Sequence, residues 1–203
     1  MANRGSKKMI PLSIKQVSLV ARVIIYVGVI ATILMCLFST IYSIHKIGLL
    51  NRNVNGEYLA QYSDYDTMLM FGNYFNSTEL SEQIIKEPRE YVVFSIMCYT
   101  KNALQYVIAS IILIAFAFFL DFDNLKNPFT NKSIKLVNVL IGSTMAMFFV
   151  NLIFNIEINL TCTHFVDRIN TYIFPAMYAL ITFSLLIFNY CLRTGKRFIE
   201  GDK

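Results

Sequence analysis

The chain has 203 residues, 56% of them hydrophobic and only 15% charged, with a formal net charge of +5. This balance is not typical of a water-soluble domain. Four apolar runs, residues 23–44, 103–120, 136–156 and 172–192, are each about long enough to cross a bilayer as a helix, so the sequence predicts an all-α integral membrane protein, a four-transmembrane-helix bundle held in lipid.

In chain order, residues 1–22 form a basic arm with Arg4, Lys7, Lys8, Lys15 and Arg22. The first span, residues 23–44, exceeds the roughly 7 to 15 apolar residues of a signal peptide. Met35 rather than a small residue precedes Cys36, which argues against a lipoprotein cleavage site. An uncleaved anchor is expected. Residues 45–102 then make the one sizeable region outside the membrane. Tyr58, Tyr62, Tyr65 and Leu69 recur at helical spacing and Gly72 is placed to end that helix. Asn76 or Ser77 can cap a second helix that reaches Lys86 before Pro88. The region reads as an outer helical hairpin between spans one and two. Tyr58, Tyr62 and Tyr65 either line a site for a ligand or extracellular peptide or pack against the span ends, and packing is the preferred reading. Arg89 to Leu120 can run as one helix of about 48 Å; the alternative assigns Tyr91 to Met97 to the hairpin. Lys101 and Asn102 are expected at the headgroup level, just before the second span at 103–120.

The loop 121–135 is broken by Asn127-Pro128 before Thr130 can cap the third span. Within that span, residues 136–156, Thr144, Asn151 and Asn155 share one helical face, suited to hydrogen bonds with neighbouring helices. Asn138, Gly142 and Ala146 share another, suited to close helix packing. Helix adhesion is preferred to a polar conduit. After the loop 157–171, Asn170 or Thr171 can cap the fourth span, residues 172–192, with Pro175 in or near its first turn. A tail, 193–203, follows. The last two spans do not repeat the first two, so an inverted-repeat transporter is not indicated.

Charge orients the chain. The arm, the loop 121–135 and the tail hold twelve basic residues against four acids, whereas 45–102 and 157–171 hold six against nine. Basic residues are retained on the cytoplasmic side, so both termini are expected there. Because the positive charge gathers at span ends, where anionic headgroups lie, lipid rather than nucleic acid is the expected partner. Tyr26, Tyr42, Tyr106, Tyr172 and Tyr190 lie near span ends, where amphipathic rings favour the interface. The spans hold almost no ionisable groups, only Arg22 lying near the inner edge of span one where its stem can snorkel, so a pump or voltage sensor is not expected. His45 and His164 are a weak metal signal. Cys98 and Cys162 are candidates for a disulfide on an oxidising outer side. Asn76-Ser77-Thr78 and Asn159-Leu160-Thr161 match the glycosylation acceptor pattern, which matters only in a eukaryotic secretory pathway. Nucleotide, metalloprotease and nucleophile-elbow motifs are absent from the sequence, and neither an enzyme nor a cofactor is expected.

The segment Leu120-Asp121-Phe122-Asp123-Asn124-Leu125-Lys126-Asn127-Pro128-Phe129-Thr130-Asn131-Lys132-Ser133, followed by the third span, resembles the bacterial four-span family catalogued as domain of unknown function 2975. The Asn-Pro-Phe-Thr turn carries the match, with Asn127 where the family more often has glycine, an exchange suited to positive φ. Members of that family are often encoded beside a small helix-turn-helix regulator. The resemblance thus implies a membrane partner for a cytoplasmic protein, with Lys126, Asn127, Pro128, Phe129, Thr130 and Lys132 as the contact patch. Phe129 is either that patch's apolar anchor or a ring dipping into the headgroups. The leading expectation is a non-enzymatic bacterial cytoplasmic-membrane sensor or regulatory partner. Its rivals are an immunity protein against a membrane-active peptide and a small transporter or channel subunit with a path along Thr144, Asn151 and Asn155. Self-association is left open.

Overall fold

The computed structural model describes residues 14–50, 55–61, 77–166 and 173–201, which form eight helices and no strand. Four are long and apolar enough to cross a membrane: α1 (Ile14–Leu50), α4 (Pro88–Phe119), α6 (Asn131–Thr161) and α8 (Ile173–Gly201). The short ones are α2 (Gly56–Gln61), α3 (Ser77–Lys86), α5 (Phe122–Lys126) and α7 (Thr163–Val166). The spans are rich in Val, Ile and Phe, which favour strands in water. In hydrocarbon every backbone N–H and C=O must be paired within the segment, and this makes them helical.

The helices exceed the apolar runs. At 1.5 Å per residue, α4 and α6 are about 46–48 Å long against a hydrocarbon layer of about 30 Å. One end of the bundle carries the start of α1, the end of α8 and α5; the other carries α2, α3 and α7. We call these the termini end and the hairpin end. Successive spans are antiparallel neighbours, α1 on α4, α4 on α6 and α6 on α8, so α4 and α6 are central and α1 and α8 flank them. The buried positions of α6 are Ser133, Val137, Leu140, Thr144, Met147, Asn151, Asn155 and Ile158. Their spacings of four and three alternate as far as Asn151, the 3.5-residue repeat of coiled-coil packing, and a second step of four then leads to Asn155.

The bundle's apolar core lies at the hairpin end. Leu59 of α2, Ile84 of α3, Tyr91, Val92, Phe94, Cys98 and Tyr99 of α4, Ile158 of α6, Cys162 and Phe165 of α7 form one buried cluster. Phe165 packs against Tyr91 and Phe94 with ring centroids 5.7 and 5.6 Å apart, and Tyr42 stacks on Tyr99 at 5.4 Å. Tyr91 to Tyr99 stand about 30–42 Å along α4 from Phe119, beyond the hydrocarbon. There water is the alternative environment, so burial stabilises this cap in a way that it cannot stabilise helix contacts inside lipid.

Turns follow from local chemistry. Pro88 opens α4, where its missing N–H is not needed, and only Glu87 separates α3 from α4. Thr130 caps α6 as its position predicts, its hydroxyl accepting from the Ser133 N–H at 3.2 Å. Asn127 differs from expectation: its φ is −136°, so the turn needs no left-handed residue. The following proline confines Asn127 to extended backbone, and asparagine serves as well as glycine there. Helix α4 runs unbroken through Tyr91–Met97, Lys101 and Asn102, and its first turns pack against the hairpin helices. Pro175 is the third residue of α8. Tyr62, Tyr65, Leu69, Gly72, Asn76, Asn170 and Thr171 lie outside the described residues.

Candidate functional site

Hydrogen bonds between side chains of adjacent spans form a ladder along both sides of α6. From the termini end, Lys196 donates to Asn131 (2.8 Å), Asn189 to Asn138 (2.8 Å) and Thr182 to Thr144 (2.9 Å), joining α8 to α6. Gln105 then donates to Asn151 (2.7 Å) and Lys101 to Asn155 (2.8 Å), joining α4 to α6. On α8 the ladder residues stand seven apart, the distance that returns a side chain to the same seam of a supercoiled pair. Where lipid removes the hydrophobic drive between helices, such bonds hold them together at roughly 0.6–2 kcal/mol each. Thr144, Asn151 and Asn155 are therefore all on the bundle side of α6, but they serve two neighbours: Thr144 faces α8, and the two asparagines face α4. Helix α1 joins the assembly by Thr32 with Ser110 (2.7 Å) and Ser43 with Thr100 (3.0 Å).

Two cations are buried near the hairpin end. Lys101 is 7% exposed, buried among the helices. It is about 27 Å along α4 from Phe119, at the far edge of the hydrocarbon, and its ammonium donates to Asn155, itself 4% exposed. Lys46 of α1 is 4% exposed with its ammonium 5.3 Å from the centre of the Tyr91 ring, a cation–π contact. Nearby, Ser95 is fully buried and its hydroxyl has no partner among the described residues. Sequence reasoning missed both lysines by counting them as loop residues, although the one-helix reading of 89–120 already places Lys101 inside the bundle. On α1, Ser18, Thr32, Ser39 and Lys46 occupy one heptad seam, a signal that the apolar-run count ignores.

The cysteine expectation is corrected. Cys98 and Cys162 are both fully buried in the hairpin-end core, but as free thiols. Burial, assisted by the nearby Glu90 carboxylate, raises the Cys162 thiol from its ordinary 9.0 to about 11, so it stays protonated at neutral pH. The close-packing expectation is corrected too. Gly142 is exposed, and a side chain added there would meet nothing within 4 Å. Asn138 meets Asn189 of α8, whereas Gly142 on the same face lies outside the packed seam.

At the termini end, α1 closes the α4–α5 corner. The Ser18 hydroxyl donates to the Leu120 carbonyl at 2.6 Å, and Arg22 pairs with Asp121 at 2.7 Å. Asn124 donates to the Phe118 carbonyl at 2.6 Å. The Ser18 and Asn124 bonds fall on carbonyls at the end of α4, where the helix ladder stops. Phe129 is half-buried, and its ring occupies the space a side chain at Gly195 of α8 would need. With the Asn131–Lys196 bond, this contact knits the loop to the last turns of α8. Lys126, Lys132, Arg193 and Arg197, on the same two segments, are exposed. Lys126, Asn127 and Lys132 are exposed, whereas Pro128 and Thr130 are half-buried. On the hairpin side Tyr58 is 54% exposed. No group of three or more His, Cys, Asp or Glu side chains able to hold a metal occurs among the described residues.

These elements define a multi-pass helical membrane protein. Comparison with protein-family models, with curated proteins and with solved structures gives no match. The specific motif in the resemblance to a four-span family covers residues 120–133.

Proposed function

We propose that the chain is a bacterial cytoplasmic-membrane protein that senses at its outer hairpin end and acts on a cytoplasmic protein at its termini end. In this reading both termini are cytoplasmic, in keeping with the excess of basic residues there. The observation that carries it is the joining of loop and tail: Phe129 on Gly195 and Asn131 on Lys196 make one basic face from two segments far apart in sequence. A preformed surface of this kind loses little order on binding, and its charge suits an acidic patch on a partner. A small helix-turn-helix regulator is the partner that the resemblance of residues 120–133 favours. The test is affinity capture of cytoplasmic proteins on the full-length chain in lipid discs, with Lys126→Glu/Lys132→Glu as the comparison. Recovery of one partner that the double variant loses supports the reading. Equal recovery on both, or no cytoplasmic protein at all, defeats it.

A second reading, capture of a membrane-active peptide by the hairpin end, draws on the exposed Tyr58 of α2. It predicts that cells lacking the chain become more sensitive to such a peptide, and unchanged sensitivity would remove it.

A further inference from the structure

We draw no further inference here: the strongest candidate, the exposed apolar patch of Phe198 and Ile199 beside Arg193 and Arg197 at the end of α8, carries none because nothing in the structure shows what covers it.

Discussion

A lysine amine buried beside an amide oxygen needs that oxygen more than the oxygen needs it. Lys101 has Asn155 as its hydrogen-bond acceptor, so Asn155→Leu strands a buried donor and should cost about 2–3 kcal/mol. Adding Lys101→Met removes the stranded group and should restore most of the loss, as replacing both members of a buried polar pair commonly does. Thermal unfolding of the two variants in lipid discs checks this, and a double variant no better than the single would show the amine is satisfied elsewhere. Cys162 supplies a prediction in pH. Its folded value of about 11 lies above the ordinary 9.0, so stability is full below about pH 9 and falls as pH rises toward 11, where the unfolded thiol ionises and the folded one does not. Melting curves from pH 7 to 11 should show a decline that Cys162→Ala reduces. Neither setting was legible in the sequence. Lys101 stands among charged and polar neighbours there, and only the continuation of α4 beyond the apolar run brings it against α6.

Two contacts between elements depend on glycine. Gly56 starts α2 where a Cβ would lie 2.7 Å from the Ile85 Cα and 2.9 Å from the Ile85 oxygen, so α2 rests directly on the backbone of α3. Gly56→Val should force the pair apart at about 1–3 kcal/mol. It should also raise the rate of proteolytic cleavage within the hairpin, while cleavage elsewhere is unchanged. At the other end, Gly195→Leu would meet the Phe129 ring and should release the 121–135 loop from α8. Faster protease cutting near Phe129 would report the release; capture of the cytoplasmic partner proposed above should fall with it. The extent of α3, the Thr130 cap and the proline positions were readable because each rests on near-neighbour chemistry. Gly195 and Gly56 gave no such signal, since the atoms they accommodate are 66 and 29 positions away in the chain. Which α6 residues meet a neighbour was not legible, because that depends on where α4 and α8 lie: Asn138 meets α8, while Gly142 one turn on meets nothing.

Across the whole molecule, two physical regimes share one set of helices. Within the hydrocarbon, polar rungs hold α4, α6 and α8 together; past its edge, an apolar core closes the hairpin end. Detergents that strip lipid should therefore loosen the spans before the cap. Rising detergent is expected to lower the protection of backbone amides in α8 earlier than around Tyr91 and Phe94, as hydrogen exchange can measure. Four membrane-crossing helices, and the charge bias behind the proposed orientation, were determined by the sequence alone. Run length and net charge are properties of single segments, and lipid acts on them segment by segment. The burial of Lys46 and Lys101, the free thiols of Cys98 and Cys162, the seat of Phe129 and the open face at Gly142 were decided only by the tertiary structure. Each depends on the register between helices, and that register is set by all the rungs at once.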